Sequence, residues 1–329
     1  MGSFPEAVLA IDIGGSKFII GFVDRDGHIL HMHREEWEDP SDGNRVLSQL
    51  MGAVGSELRK NSRIEVLAAG VAVPGFVDSR EEAKVSMSLG GLRRWPVARE
   101  MNEKFGLKTF ANNDAKCCAL AEMWFGSCRD CDDFLYMTVS TGVGGAFVLD
   151  GRLYDGAYGR AGEIGNSYLV KNGRENGKGR RGTFEMYAAT EGMAKNYLEL
   201  GGLRPENGTK INGEYIARRA AEGDGAAVKT FELEGELLAT IIAQACNMLD
   251  IERVVIGGGI SLSFELFRDS LEKNLYVQKY WRDGDFSVVP TVLGYEGALI
   301  GAATVALLGI GEKLSRPGPS KKHKMTLEG

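Results

Sequence analysis

The sequence predicts an α/β fold made of two domains, on three observations. The chain has 329 residues, and at about 150 residues per domain this length suggests two domains. Two stretches, residues 7–23 and 134–149, share one pattern of apolar strand, glycine-rich turn and second strand. Glycine is frequent, with 45 residues against only 8 prolines, which indicates many tight turns or loops that approach a ligand closely.

Apolar runs and helical spacing alternate along the first half of the chain, as expected for an α/β domain. The predicted strands are residues 7–13, 18–23, 29–33, 66–73 and 108–111. The predicted helices are residues 45–58, 97–105 and 115–123.

The second half shows the same alternation. The predicted strands are residues 134–139, 146–149, 253–256 and 287–292. The predicted helices are residues 185–198, 212–221, 227–249 and 297–308. The last helix is rich in glycine and alanine, so we expect it to pack closely against a neighbour.

Composition and charge exclude several classes of protein. The chain is 43% hydrophobic and 26% charged, which rules out disordered and collagen-like architectures. Its net charge of −6 gives no support to a nucleic-acid partner, which usually requires a basic face. The longest uncharged stretch has 15 residues, from 297 to 311, too few to span a bilayer. With five cysteines, an odd number, and no signal peptide, we expect a cytoplasmic protein with reduced thiols and no membrane partner.

Three glycine-rich loops could hold phosphate groups, because glycine allows several backbone N–H groups to converge on an anion. Each loop follows a predicted strand, as it does where ligands meet the edge of an α/β sheet. Hairpin turns also require glycine, but three such loops together favour nucleotide binding. The candidate residues are Gly14, Gly15, Ser16, Lys17, Thr141, Gly142, Gly144, Gly257, Gly258 and Gly259.

Two familiar nucleotide fingerprints do not apply. Residues 177–182 match G-x-G-x-x-G, but a polar, basic stretch precedes them instead of an apolar strand. No segment matches the G-x-x-x-x-G-K-[ST] loop. Cys128 and Cys131 form a C-x-x-C pair without the second pair or histidine that a zinc site requires.

Carboxylates next to these loops could carry the chemistry. Asp12 ends the first strand and could hold Mg²⁺ directly or through water. Asp114 follows another strand and could take a proton from a hydroxyl that attacks a γ-phosphate. Glu163 and Glu185 flank the basic loop and could bind vicinal hydroxyls. The alternative for Asp12 and Asp114 is a structural role in a turn or helix cap.

Seven segments, in this order along the chain, resemble the ROK family of sugar kinases, repressors and related proteins, within the actin-like ATPase superfamily. They are residues 9–17, 70–78, 113–115, 141–145, 161–165, 182–185 and 255–261. The resemblance implies a two-domain, actin-like (ribonuclease H-like) α/β fold with a ligand cleft between the domains. It also implies a smaller domain of residues 1–113 plus 297–329, a larger domain of residues 114–296, and a homodimer.

By the same resemblance, Asp114 is the general base that activates a sugar hydroxyl, usually the one on C6. Asp12 and the glycine loops position ATP with Mg²⁺. The residues implied to bind the sugar are Gly75, Ser88, Asn113, Asp114, Glu163, Asn166 and Glu185.

The chain departs from the family at its zinc site. A histidine that binds zinc and sugar in many members is Asn166 here, and the three cysteines of the family's motif are Asn176, Lys178 and Thr183. Because Asn and Thr are poor zinc ligands, we expect no structural zinc and a loop held by packing and hydrogen bonds. Asn166 and Ser88 also put a plain glucokinase assignment in question and make amino sugars worth testing.

The sequence therefore predicts an ATP-dependent kinase of a hexose or amino sugar. One alternative is a sugar sensor without catalysis, although the family's repressors carry a DNA-binding domain before the first phosphate motif, where only about eight residues precede it here. Another is a kinase that uses polyphosphate, for which the basic stretch of residues 171–181 could be a docking surface.

Overall fold

The computed structural model describes residues 4–78, 84–87, 89–177, 179–206, 208–281 and 286–318. The chain forms two compact units. The first comprises Met1–Cys131, Asp155–Ala161 and Leu293–Gly329, and the second comprises Asp132–Tyr154 and Gly162–Val292. The helix that begins at Asp114 belongs to the first unit, whereas the domain boundary expected from the sequence lies just before it.

Strands and helices alternate through both units. The strands are β1 (Glu6–Ile13), β2 (Lys17–Val23), β3 (Ile29–Glu36), β4 (Glu65–Val73), β5 (Gly75–Asp78), β6 (Lys84–Met87), β7 (Trp95–Pro96), β8 (Thr109–Asn113), β9 (Phe134–Val139), β10 (Val143–Leu149), β11 (Arg152–Leu153), β12 (Arg253–Gly257) and β13 (Ser287–Pro290). The α-helices are α1 (Gly43–Lys60), α2 (Val97–Phe105), α3 (Asp114–Phe125), α4 (Glu185–Ala188), α5 (Thr190–Glu199), α6 (Gly213–Ala221), α7 (Gly225–Leu249), α8 (Phe264–Gln278) and α9 (Gly297–Gly309).

The main sheets of the two units have the same topology. The order is β3-β2-β1-β4-β8 in the first unit and β11-β10-β9-β12-β13 in the second. In each sheet the first three strands are antiparallel neighbours, and the last two join in parallel. The repeat predicted from residues 7–23 and 134–149 is thus confirmed as a repeat of sheet topology. A smaller sheet in the first unit, β5-β6-β7, was not predicted.

Short polar side chains set where several helices begin. The side chains of Asp42, Asn113, Asn212 and Asp224 each accept a hydrogen bond from a backbone N–H in the first turn of the helix that follows. Those N–H groups have no partner inside the helix, so a capping oxygen stabilises the helix by about 1 kcal/mol. These caps fix the starts of α1, α3, α6 and α7.

The C-terminal helix α9 packs almost backbone to backbone, as its small residues predicted. A Cβ atom on Gly70 of β4 would lie 1.8 Å from the Ala302 carbonyl oxygen. A Cβ atom on Gly301 would lie 2.0 Å from the carbonyl oxygen of Cys117 on α3. Only glycine fits at either position, so α9 seals one face of the first sheet through close contacts with β4 and α3.

Two elements of the second unit differ from the sequence expectation. Residues 185–198, predicted as one helix, form α4 and α5, separated at Ala189 by an extended backbone (φ −68°, ψ 163°). The break lets Thr190 donate its backbone N–H and its hydroxyl to the Ser140 carbonyl, each at 2.8 Å. Helix α8, to which the sequence analysis assigns no element, packs along α7 in the core.

A buried carboxyl in α7 makes the stability of the protein sensitive to pH. Glu234 is fully buried, and neither of its carboxyl oxygens has a hydrogen-bond partner among the described residues. Burial raises the pKa of Glu234 well above 4.5, because desolvation penalises the charged form. At pH values between the ordinary pKa of the unfolded state and the raised pKa of the folded state, the folded protein keeps a proton that the unfolded chain releases. The stability of the protein therefore falls as the pH rises through that window.

Glu234→Met should therefore stabilise the protein by about 1–3 kcal/mol, since it removes two buried polar atoms without partners. The gain should be larger at about pH 8 than at about pH 5. Urea unfolding at both pH values measures it, with Glu236→Met as the control because Glu236 is exposed on the same helix. Equal or lower stability of Glu234→Met at the higher pH would contradict this account.

Candidate active site

Asp12 and Asp114 lie at the same edge of the first unit's main sheet. Asp12 pairs with Ala72 of β4, and Ala72 pairs with Asn112 of β8. Since neighbouring strands are about 4.8 Å apart, β1 and β8 are separated by about 10 Å. Asp114 begins α3 directly after β8. The carboxyl ends of parallel strands thus bring together the two carboxylates that the sequence analysis singled out.

The surroundings of Asp12 oppose its ionisation. Burial, and after it the negative charge of Asp114, raise the pKa of Asp12 from 3.8 to about 7, while Lys17 and Arg34 act in the opposite direction. A bound cation would add to the positive charge of Lys17 and Arg34 and favour the ionised carboxylate, and carboxylate oxygen is a ligand that Mg²⁺ prefers. The residues present therefore fit a magnesium ion at Asp12.

Arg34 is a neighbour of Asp12 that the sequence analysis missed. Asp12 pairs with Ile19 of β2, and Ile19 pairs in turn with Arg34 of β3. This places a cation two strands away from the carboxylate, where it contributes to the electrostatics. Finding it would have required the strand register, which the sequence pattern does not specify.

The cap of α3 is formed by Asn113, not by Asp114. The Asn113 side-chain oxygen accepts from the backbone N–H groups of Ala115 (3.0 Å) and Lys116 (3.3 Å), and its Nδ2 donates to the Gly75 carbonyl at 3.1 Å. Asp114 accepts from the N–H of Ala115 at 2.8 Å. The capping role considered for Asp114 is thus filled mainly by its neighbour, and Asn113 ties β5 to the start of the helix.

The first glycine turn is held by a tryptophan. Inside the turn, the Gly14 N–H donates to the Lys17 carbonyl at 2.8 Å. From outside, Trp37 donates its indole N–H to the Gly14 carbonyl (2.9 Å) and its backbone N–H to the Ser16 carbonyl (3.1 Å). Gly15 is exposed, and a Cβ atom there would have nothing within 4 Å. The turn is therefore fixed while its outer side stays open.

Lys116, two residues after Asp114, is a buried cation that the sequence analysis missed. Its side chain is 5% exposed, and its Nζ donates to the Asp155 carboxylate at 2.6 Å and to the Gly159 carbonyl at 3.1 Å. Arg160, in the same segment, lies over the ring of Phe76 on β5 at 5.4 Å. Lys116 therefore anchors the segment Asp155–Ala161 beside the helix that carries Asp114.

Removing either partner of the Lys116–Asp155 ion pair should lower the stability of the protein, but by different amounts. Asp155→Ala should destabilise the protein by about 3 kcal/mol, because it leaves a buried ammonium group without its counter-charge. Lys116→Met should cost less, since Asp155 is 56% exposed and water can solvate its carboxylate. Thermal unfolding of both variants checks the order, and a larger loss for Lys116→Met would contradict it.

Two predicted phosphate loops meet at one edge of the second unit's sheet. Gly257, the last residue of β12, pairs with Thr138 of β9, which leads into the loop of residues 140–145. Gly258 has a positive φ of 77°, and a Cβ atom there would lie 2.5 Å from the Val139 carbonyl oxygen. Glycine is therefore required for the two loops to pack this closely at the same edge of the sheet.

Glu185 reaches one of these loops. Its Oε2 accepts from the backbone N–H of Val143 at 2.9 Å, and a Cβ atom on Gly142 would lie 2.9 Å from the same oxygen. Val143 lies between Gly142 and Gly144, both candidate phosphate ligands. A side chain expected to bind sugar is thus in contact with a loop expected to bind phosphate.

Glu163 and Asn166 form a second contact among candidate sugar ligands. Asn166 donates its side-chain N–H to the Glu163 carboxylate at 2.9 Å, and the Arg180 guanidinium donates to the Asn166 side-chain oxygen at 3.0 Å. Because Arg is only a donor, it orients the Asn166 amide toward Glu163. Arg180 was missed by the sequence analysis, which treated the basic stretch as a whole.

Arg174 anchors the loop for which a zinc-free structure was predicted. Its guanidinium donates to the carbonyls of Met186 (3.3 Å) and Gly192 (3.2 Å), pairs with Glu199 at 2.6 Å and stacks on the Tyr187 ring at 4.6 Å. These contacts attach the loop to α4 and α5. The absence of zinc itself stays a prediction. Lys178, which replaces one of the family's zinc-binding cysteines, and Ser88, a candidate sugar ligand, lie outside the described residues.

The Asp24, Asp26 and His28 side chains form the one cluster of possible metal ligands among the residues searched. All five cysteines are buried, and none of them forms a disulfide bond. In the part of the chain described here, no helix combines the length and apolar character needed to cross a membrane.

Comparison with known proteins gives one family for nearly the whole chain. The model of the ROK family matches residues 8–308. A glucokinase of Streptomyces coelicolor is 26% identical over 316 residues, covering 91% of this chain and 96% of the relative. An N-acetylmannosamine kinase of Escherichia coli strain 55989 is 32% identical over 309 residues, covering 93% of this chain and 99% of the relative.

A solved structure supports the same fold. The ROK family glucokinase of Streptomyces griseus, determined in complex with glucose and AMPPNP, superimposes with a TM-score of 0.78 at 27% identity. The match covers 92% of this chain and all of that structure. The expected α/β, actin-like fold class is confirmed.

Proposed function

This chain belongs to the ROK family, and we propose that it is an ATP-dependent kinase that phosphorylates a hydroxyl, the one on C6, of a hexose or an N-acetylated amino sugar. The observation that carries the proposal is the placement of Asp12 and Asp114 at one sheet edge beside an open glycine turn. The relatives, a glucokinase and an N-acetylmannosamine kinase, support phosphoryl transfer to an alcohol.

Asp114 acts as the general base in this proposal. Its carboxylate accepts the proton of the sugar hydroxyl while that oxygen attacks the γ-phosphorus of ATP. A bond forms between the sugar oxygen and the γ-phosphorus, the bond to the bridging oxygen of ADP breaks, and ADP leaves. Asn113 holds the start of α3 through its cap, which fixes the backbone that carries the base.

Asp12 and the glycine loops orient the nucleotide. When bound, Mg²⁺ supplies positive charge that neutralises the phosphate oxygens. Asp12 is the residue that would hold this ion, directly or through water. The loops of residues 14–17 and 141–145 and the glycines of residues 257–259 bind and orient the phosphates and adenosine.

The sugar is bound by residues with complementary hydrogen-bonding groups. The carboxylates of Glu163 and Glu185 accept hydrogen bonds from hydroxyl groups, and Asn166 can both donate and accept. Asn113 and Gly75, linked by their own hydrogen bond, lie next to the base. An amide at position 166 suits an N-acetyl group as well as a hydroxyl, which is why amino sugars belong among the substrates tested.

ATP consumption measured against a panel of sugars tests this function. The panel contains glucose, mannose, fructose, allose, glucosamine, N-acetylglucosamine and N-acetylmannosamine, each with Mg²⁺. We expect turnover with at least one of them. If the protein binds a sugar but phosphorylates none of the panel, the result would contradict a kinase function and favour the sugar sensor. If it phosphorylates a sugar with polyphosphate but not with ATP, polyphosphate would replace ATP as the proposed phosphoryl donor.

Two arginines of the basic stretch are already engaged in ion pairs. Arg174 and Arg181 are paired with Glu199 and Glu175 at 2.6 and 2.7 Å, so part of the positive charge is already neutralised. ATP is therefore the favoured donor. A homodimer, implied by family resemblance, stays a prediction that sedimentation velocity can test.

A further inference from the structure

Glu185 connects two subsites that the proposed function treats separately. Its carboxylate accepts a hydrogen bond from the backbone N–H of Val143, in the middle of the loop proposed to bind phosphate. Within the described part of the chain, Val143 is the one hydrogen-bond donor to this carboxylate, and no lysine or arginine pairs with it. The second carboxylate oxygen is therefore available to a sugar hydroxyl.

The position of Glu185 is fixed by buried neighbours. Phe184, directly before it, is fully buried, and Ala188 is 2% exposed. Gly182 has a positive φ of 70°, and a Cβ atom there would lie 1.8 Å from the Val170 carbonyl oxygen. The backbone around Glu185 thus has little conformational freedom, and this fixed backbone places the carboxylate next to the loop.

The loop itself is held on several sides. The N–H of Ser140 donates to the Gly142 carbonyl at 2.9 Å, and Thr190 donates twice to the Ser140 carbonyl. A Cβ atom on Gly165 would lie 2.4 Å from the Val143 carbonyl oxygen. The loop is therefore supported by contacts other than its bond to Glu185.

A carboxylate on an N–H group of a phosphate loop opposes phosphate binding in two ways. It occupies a donor that an anion would use, and its negative charge repels the phosphates. A sugar whose hydroxyl groups donate to the same carboxylate would draw it away and weaken both effects.

We propose that Glu185 couples the two substrates: without sugar it holds the Val143 N–H and disfavours nucleotide, and sugar binding releases that N–H to the phosphates. The inference rests on the proposed function for the identity of the ligands. By linkage, nucleotide then favours sugar to the same extent as sugar favours nucleotide. The arrangement keeps ATP bound weakly until an acceptor is present, which limits hydrolysis by water.

Calorimetric titration with the non-hydrolysable analogue AMPPNP and Mg²⁺, without sugar, tests the coupling. Glu185→Gln keeps the shape but removes the charge, and should bind the analogue about five- to tenfold more tightly than the wild type. Glu185→Ala removes the acceptor and should also bind more tightly. Glu191→Gln is the matched control, because Glu191 is an exposed carboxylate of α5 paired with Lys195, and it should behave as the wild type.

The direction of the change in AMPPNP affinity distinguishes coupling by Glu185 from simple support of the loop. If Glu185 merely supported the loop, both variants would bind AMPPNP equally well or more weakly, and that result would overturn the inference while leaving the kinase intact. Adding the sugar identified in the panel should tighten AMPPNP binding in the wild type but not in Glu185→Gln. A protein that binds no nucleotide and turns over no sugar would overturn the proposed function itself.

Discussion

Asp114→Asn should lower kcat for sugar phosphorylation by about 100- to 10,000-fold, the usual contribution of a positioned general base. The amide has nearly the same shape but cannot accept the proton of the attacking hydroxyl. The cap of α3 should survive, because the capping oxygen belongs to Asn113. Steady-state kinetics with the panel sugar, together with AMPPNP binding, measures the effect.

The control for this substitution is Asp269→Asn, which removes an exposed carboxylate from α8 and should leave kcat unchanged. Binding of AMPPNP by Asp114→Asn should be retained, since the base contacts the acceptor hydroxyl. A variant that keeps more than about a tenth of the wild-type kcat would show that another group takes the proton.

Asp12→Asn should produce two opposite effects. Activity should fall by about 100-fold, because the amide is a poorer ligand for Mg²⁺ than a carboxylate. The protein without nucleotide should become more stable at about pH 8, by roughly 2–4 kcal/mol, since the variant no longer buries a charge. Such a gain in stability with a loss of function is expected where an active site carries an unfavourable group.

The pH dependence of unfolding tests whether Asp12→Asn stabilises the protein. With the pKa of Asp12 raised to about 7, the folded protein holds a proton that the unfolded chain has lost between about pH 4 and pH 7. The wild type should therefore lose stability across this range relative to Asp12→Asn, and the two should converge below it. Urea unfolding at several pH values, with Asp26→Asn as an exposed control, measures this. A variant less stable than the wild type at about pH 8 would refute the burial argument.

Local sequence patterns predicted the parts of the fold that depend on neighbouring residues. The two strand-turn-strand units follow from short apolar runs broken by glycine, and both appear in the structure as β1–β2 and β9–β10. Asn113 and Asp114 were found because a polar pair follows an apolar strand. Such features need only the chain within a few residues, so the sequence contains them directly.

Features that depend on tertiary contacts were missed. Helix α8 buries Phe264, Phe267, Leu271 and Leu275 at helical spacing, but exposed Leu266, Tyr276 and Val277 blur its apolar face. The break at Ala189 exists because Thr190 binds the Ser140 carbonyl, 50 residues away.

The candidate site shows the same division. Lys116 has its role because of its ion pair with Asp155, 39 residues away. Arg34 lies near Asp12 because of the strand register. The Glu185–Val143 contact likewise joins residues 42 positions apart. A charged residue on a small-residue helix, such as Lys116 on α3, is the one sequence signal that could have pointed to a buried partner.

The proposed function rests on direct transfer of the γ-phosphoryl group of ATP to a sugar hydroxyl. The most direct measurement uses ATP labelled with ¹⁸O in the non-bridging oxygens of the γ-phosphate, followed by mass spectrometry of the sugar products. The wild type should form a sugar phosphate that carries all of the label, and Asp114→Asn should form almost none of this product in the same time. Label that appears only in inorganic phosphate, or a sugar that remains unphosphorylated across the panel, would contradict the proposed function.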